Sequence, residues 1–370
     1  MSSVASVTIH ASQFPDAVRR DLLESLRTRR VNHKFHYDSV KQTQKWLLLH
    51  QACSPTRNDT DCRAAYEKSF EAAAAHLKAQ SVRVIGLGCG GGQKDTRLLK
   101  LLKARGRKVF YTPCDVSLAM VLTARQTALA VLPEKNIHPF VCDLATADDL
   151  PSIWEGCRVG GPNSFGTATR RPSQNDAHLF TFFGMIPNFE PEQILPKLAS
   201  LVRPKDLLLF SANLAPGKDY AAGVKKVLPQ YDNPLTREWL MMFLLDLGIG
   251  RNDGQLHFNI ETCRSRREEA LTSPSYSTKT KQRLLMSRLA MERGGLKRIV
   301  AGFRFARARR VEVDGERFDF HAGESIRLFF SYRYTPESVR QILARLGLEV
   351  CGQWIAKSEE EGVFLCSGAL

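Results

Sequence analysis

Four glycines close a β-rich apolar run. Val82–Leu87 leads into Gly88, Gly90, Gly91 and Gly92, and a helix-compatible stretch carrying Lys94, Leu98 and Leu99 follows. The pattern predicts a strand, a tight turn and a helix N-terminus. Residues without a Cβ let backbone approach a ligand closely, and a helix end offers free amides. Chemistry of this kind suits a nucleotide-like cofactor. Asp115 ends the next β-rich run, in YTPCDVS, where a carboxylate can accept from both hydroxyls of a ribose. Asp143 follows a third run, in FVCDLA, and can accept from an exocyclic amine. Lys94 falls in a first helical turn, where a cation opposes the helix dipole. That placement suggests a use, such as meeting a cofactor carboxylate. The close histidine pair, His33 and His36, has no further ligands at metal-binding spacing, so no metal site is expected.

These residues need a frame to bring them together. Residues 15–50 and 62–79 read as helical. Strands then alternate with helices: strand Val82–Leu87, helix Asp95–Ala104, strand Lys108–Pro113, helix Ser117–Leu132 capped by Ser117, and strand Ile137–Cys142. Ala147–Trp154 reads as a helical turn. Residues 157–176, rich in Gly, Pro, Ser and Asn, read as a long loop and candidate lid. Strand Ala177–Phe183, helix Pro191–Val202 and strand Asp206–Ala212 complete five repeats. That order predicts an α/β fold with a doubly wound, mostly parallel sheet, whose ligands bind at the carboxyl ends of the strands. Gly88, Asp115, Asp143 and Asn188 all fall there. From Leu214 to Ile326 the alternation stops, with helical stretches at Pro234–Leu247 and Lys279–Met291 and a β-rich part over Arg298–Phe320 turning at Asp314 and Gly315. The end returns to helix Pro336–Leu346 and a hairpin of Leu348–Ala356 with Val363–Ser367. A helix and terminal hairpin complete the Rossmann-like sheet of class I methyltransferases, which points to S-adenosylmethionine rather than a dinucleotide. The expected division is a cofactor domain of residues 63–213 plus 332–370, and an inserted α+β substrate domain of residues 1–62 plus 214–331.

The chain of 370 residues is 43% hydrophobic and 25% charged, as in a soluble globular protein. It holds no apolar run of the roughly 20 residues a membrane span needs, and MSSVASVTIHASQFPD, without a charged segment followed by a long apolar one, leads to the expectation of no export. Nine cysteines without a CxxC pair read as reduced thiols of a cytoplasmic protein. The net charge of +15 is densest over Arg264–Arg310, including RSRR and RFARARR. A solvated surface is expected there, since no nucleic-acid motif accompanies the charge.

Several short motifs, in order over nearly the whole chain, resemble the histidine-specific methyltransferases of ergothioneine biosynthesis. YTPCDVS resembles the family's YxPVDVS. FFGMIPNF resembles LGSxIGNF, and HAGESIRLFFSYRYTPESV resembles GExIxxExSxKYT. HKFHYD, SPTRND and QYDNPLTREWL are similar to KWFYD, YPTR and AYND…GVTxxF. The resemblance implies a SAM-dependent N-methyltransferase acting on an amino acid, with S-adenosylmethionine held by Gly88, Gly90, Lys94, Asp115 and Asp143. It implies a substrate site of Tyr37, Asn188, Tyr231, Phe329 and Ser331, with Asn188 and Tyr231 holding the α-amino-acid end. Departures cluster at the substrate side chain. Phe329 stands where the family has an acidic residue, Ser54 at a tyrosine and Ala301 at a methionine. Losing a hydrogen-bonding partner argues against histidine, and Phe329 with Phe330 would suit an aromatic or cationic side chain. The expected reaction is methylation of the α-amine of a free amino acid, with a small-molecule partner and no membrane or nucleic acid. The alternatives are an RNA-modifying methyltransferase, transfer to a non-proteinogenic amine in natural-product biosynthesis, and a non-catalytic binding protein on the same scaffold.

Overall fold

A computed structural model describes residues 5–150, 176–263 and 295–368. Its largest element is an eight-stranded sheet of order β1-β4-β3-β2-β5-β6-β13-β12. These strands are β1 (Thr8–Ile9), β2 (Ser81–Leu87), β3 (Lys108–Asp115), β4 (Phe140–Val141), β5 (Asp176–Phe182), β6 (Leu207–Asn213), β12 (Leu348–Ile355) and β13 (Glu361–Gly368). Strands β1 to β6 run parallel, and β13 lies antiparallel between β6 and β12. This is the class I methyltransferase sheet that the closing hairpin predicted.

The parallel strands are apolar on both faces because helices cover both. Ile85, Leu87, Phe180, Phe182 and Phe210 pack with Ile194, Leu195 and Leu198, which belong to a helix over Pro191–Leu201. Val82, Val84, Leu179 and Leu209 pack on the other side with Tyr66, Phe70, Leu98, Leu99 and Leu102. A second unit has the three-stranded sheet β11-β8-β7, of β7 (Gly254–Cys263), β8 (Leu296–Phe305) and β11 (Ser325–Arg333). The hairpin of β9 (Arg309–Val313) and β10 (Glu316–Phe320) turns at Asp314 and Gly315, both at positive φ, as predicted.

Some boundaries differ from expectation. Residues 15–50 form two helices, α1 (Pro15–Thr28) and α2 (Val40–Cys53). Arg29, in the left-handed region, ends the first, and a capping box of Ser39 with Gln42 starts the second. Between them lies a short 3-10 turn, His33–His36. The next long helices are α3 (Thr60–His76), α4 (Gln93–Ala104) and α5 (Leu118–Ala128), the last capped by Ser117 as expected. Residues 137–142 form a continuous ladder only at Phe140 and Val141, with a separate bridge from Ile137 to Tyr111; Pro139, between them, has no amide hydrogen to donate. Thr8 and Ile9 add a strand to the edge of the large sheet, so the N-terminal segment is not confined to the second unit. The expected junction at residue 332 falls inside β11. Apart from Asp176, which begins β5, the expected lid lies outside the described residues. So do helix Lys279–Met291, RSRR and the second half of the Ala147–Trp154 turn.

In RFARARR, Phe305 is buried. Arg307 and Arg309 both pair with the buried Asp253, and Arg310 pairs with Asp319. No described helix is long and apolar enough to cross a membrane.

Candidate functional site

Strand order reverses between β2 and β5, and a cleft of about 1060 Å³ opens at their carboxyl ends. Its floor is the glycine loop. Gly88, Gly90 and Gly92 have φ of 61°, 51° and 72°. A Cβ on Gly88 would fall 2.6 Å from the Met185 side chain, and one on Gly90 would fall 3.2 Å from the Trp46 ring. The sequence thus uses glycine where the loop must curl and where side chains close over it. The Gly90 amide donates to Asp115 Oδ2 at 3.0 Å and the Ser117 amide to Oδ1 at 3.0 Å. Two backbone bonds fix this carboxylate and leave lone pairs for a further donor.

Lys94, in the first turn of α4, donates to the Tyr66 hydroxyl at 2.9 Å and sits 4.3 Å over that ring. Tyr66 donates to Glu361. Asp143 is buried; its Oδ1 accepts from the Ala145 amide, and its Oδ2 has no hydrogen bond among the described residues. The Lys34 ammonium lies 3.6 Å from that oxygen. A glycine-rich loop, a fixed carboxylate and a buried acceptor without a hydrogen bond in one cleft fit an adenosyl group. Asp115 would meet its ribose and Asp143 its amine.

The other end of the cleft is built by the second unit together with the turn after β5. Tyr37, Asn188, Tyr231, Phe329 and Phe330 line it. Asn188 ends a 3-10 turn, Ile186–Asn188, after β5, and its side-chain amide makes no hydrogen bond to the described residues. The Tyr231 hydroxyl lies 2.9 Å from Ser331 Oγ, accepts from Arg333 at 2.8 Å and is 3.4 Å from Asn213 Nδ2. Ser331 is buried behind Tyr231 and does not line the cleft. Burial beside Asp115 pushes the Tyr37 phenol above its usual range.

The strand register shifts between Arg327 and Phe329. Neighbouring strand residues ordinarily point to opposite faces, yet Phe329 and Phe330 both meet the His33 ring, at 5.2 and 4.9 Å. Phe329 also packs on Trp239 at 5.7 Å and Tyr231 at 6.2 Å, so it is at once core and cleft wall. Ser54 lines the cleft, whereas Ala301 is buried beneath the wall, paired with Phe329 across β8 and β11. The Phe330 ring is faced by Arg327 at 5.0 Å and Arg298 at 5.3 Å.

Five contributors were not legible in the sequence. Trp46 sits in a segment read only for helix, and His33, in HKFHYD, was weighed only as a metal ligand and within a family-like segment. Tyr66 lies in an alanine-rich helix, Asn213 at a strand end and Arg333 in a strand. His33 and His36 are packed edge to face at 6.3 Å. Burial holds them neutral, down to about 3 for His33 and about 4 for His36. No metal-binding group occurs among the described residues.

Burial pushes both Asp95 and Asp115 up to about 6. For Asp95 the Tyr111 and Thr181 hydroxyls oppose it, and for Asp115 the Ser117 and Gly90 amides. Below its folded pKa each group is protonated in the fold but, down to about pH 4, ionised in the unfolded chain. Their contribution to stability is therefore present at low pH and is lost as pH rises through 6. Ligand binding should run the other way, because ribose hydroxyls need an ionised acceptor. The unfolding midpoint of the wild type minus that of Asp115→Asn is expected to fall between about pH 4 and 7. A flat difference would place the titration elsewhere.

A family model described as histidine-specific methyltransferase, SAM-dependent, matches residues 18–234 and 292–368. A histidine N-alpha-methyltransferase of Mycobacterium tuberculosis is 26% identical over 360 residues, covering 95% of each chain. The N-methyltransferase imqF of Aspergillus flavus is 24% identical over 311 residues, 84% of this chain and 72% of that protein. A solved S-adenosylmethionine-dependent methyltransferase from Clostridium acetobutylicum aligns over 88% of this chain and 99% of that one, at 12% identity and a TM-score of 0.41.

Proposed function

This chain belongs to the histidine-specific, SAM-dependent methyltransferase family, and on that premise we propose that it methylates the α-amine of a free amino acid with an aromatic side chain. The observation that carries the reading is the wall of Phe329, Phe330, His33 and Trp239 at the side-chain end of the cleft. A carboxylate stands at the Phe329 position in the family pattern, and an imidazole would lose that partner here. A cationic side chain is less well served, because Arg327 and Arg298 already occupy the Phe330 ring and would repel it. The two relatives bear the names of N-methyltransferases, one of them acting on the α-nitrogen of histidine, which supports the amine as acceptor.

S-adenosylmethionine, which Gly88, Gly90, Lys94, Asp115 and Asp143 would hold, supplies an electrophilic sulfonium methyl when bound. What remains for the protein is alignment and protonation state. The Asn188 amide offers hydrogen bonds to the α-amino-acid end, and the Tyr231 hydroxyl can hold the carboxylate. The amine must be neutral to carry a lone pair. Partial burial and the positive charge of Arg333 both favour that form. Holding the amine in line is the larger contribution, since alignment alone supplies several orders of magnitude.

Incubation with S-adenosylmethionine and the twenty amino acids, followed by mass, tests this. Methyl gains are expected on phenylalanine, tyrosine or tryptophan, with histidine slower. No gain on any amino acid overturns the reading, and a strong preference for histidine overturns the role of Phe329.

A further inference from the structure

Three lysine or arginine side chains of the described residues are buried, and two of them face carboxylates. Lys34 pairs with Asp21 and Asp143, and Arg125 with Glu134. Arg333, 5% exposed, has neutral acceptors only. Its Nη2 donates to the Tyr231 hydroxyl at 2.8 Å. Its Nη1 donates to the carbonyls of Leu214 at 3.1 Å and Glu360 at 3.4 Å, and its Nε has no partner. Arg333 has no ion pair among the described residues. The two acids beside it are engaged elsewhere: Glu360 accepts from Gln230 at 2.9 Å, and Glu361 from Tyr66 and Cys62. Arg333 also lines the cleft, next to Tyr231 and Asn213. A buried cation without a counter-charge is strongly unfavourable, and the open space beside it is where an anion can enter.

The hydrogen-bond arithmetic says how. A phenol oxygen accepts at most twice and donates once. Arg333 and Asn213 both donate to Tyr231, so its own proton goes to Ser331 or into the cleft. We infer that Arg333 is the positioning residue for substrate carboxylate: it turns the Tyr231 hydroxyl into a charge-assisted donor and supplies the missing positive partner. This rests on the amino-acid reading above and narrows it to substrates with a free α-carboxylate, excluding esters, amides and decarboxylated amines. In the family pattern SxKYT a lysine stands at this position, so the positive charge is common to both, and Arg333 adds a forked donor.

Calorimetric binding with S-adenosylhomocysteine present tests it, using L-phenylalanine, L-tyrosine, L-tryptophan and L-histidine, each against its carboxamide and its decarboxylated amine. In the wild type at least one acid is expected to bind about 100-fold more tightly than its amide. Arg333→Met should bring that ratio to within about threefold of one, and Arg333→Lys should keep most of it. A merely structural arginine would weaken acid and amide alike. The ratio in the wild type needs no variant, so a misfolded Arg333→Met does not block the test. No preference for the acid in any of the four pairs overturns the inference, as does a ratio that survives in folded Arg333→Met. Acid binding without methyl transfer would overturn the transfer reading alone. Transfer to amides and amines as fast as to acids would overturn only the inference.

Discussion

Asp115→Asn is expected to weaken S-adenosylmethionine binding by about 100-fold while leaving the fold intact. The carboxylate accepts from the Gly90 and Ser117 amides and, in the proposed complex, from the ribose hydroxyls. An amide of the same shape keeps one acceptor and turns an NH2 group toward a donor on the other side. Hydrogen bonds to charged groups contribute about 1.5–3 kcal/mol each, and about 2.7 kcal/mol corresponds to 100-fold in affinity. The change should appear in calorimetric binding of S-adenosylmethionine and equally of S-adenosylhomocysteine, because the ribose is common to both. An unchanged dissociation constant would remove Asp115 from the site.

The second large effect is expected at the opposite end of the cleft. Asn188→Ala should lower kcat/KM for the amino acid by about 100-fold, the range seen when one preorganised donor is removed, with cofactor affinity within a factor of about two. The side-chain amide of Asn188 has no hydrogen bond to the described residues, so its loss removes no bond among them. The turn that carries it, Ile186–Asn188, is fixed instead by buried Ile186 and Pro187. A fall in kcat alone would assign Asn188 to alignment of the amine, and a rise in KM alone to substrate binding. Unchanged turnover would exclude it from the site.

Much of the cofactor end was legible in the sequence because its determinants are local. A strand, glycines at positive φ and a helix N-terminus occupy consecutive residues, 81–104, and no other residue type curls so tightly without strain. Asp115 and Asp143 follow strand ends, so topology alone sends them to the ligand edge of a parallel sheet. The substrate end was less legible. Its polar cluster joins Asn213, Tyr231 and the β11 pair Ser331 and Arg333 from three chain segments, and its aromatic wall joins His33, Trp239 and Phe329. Motif matching located Tyr231 and Ser331 but not their mutual bond. That bond places the serine behind the tyrosine rather than in the cleft. Lys94 was read as a partner for the cofactor, and the tertiary fold adds a chain from Lys94 through Tyr66 to Glu361 that no spacing in the sequence announces.

Alternation of strands and helices, with the closing hairpin, was enough on its own to determine the sheet and its cofactor edge. Each strand's apolar character and each turn's glycine act within a few residues of themselves. Whether Phe329 is core or cleft wall, and whether Arg333 has a counter-charge, only the tertiary structure decided. Burial of a ring and the neutralisation of a charge are properties of the whole surrounding volume. Here that volume is filled by residues up to about three hundred positions apart: Phe329 meets His33 across one wall, and Arg333 meets Tyr231 across the other.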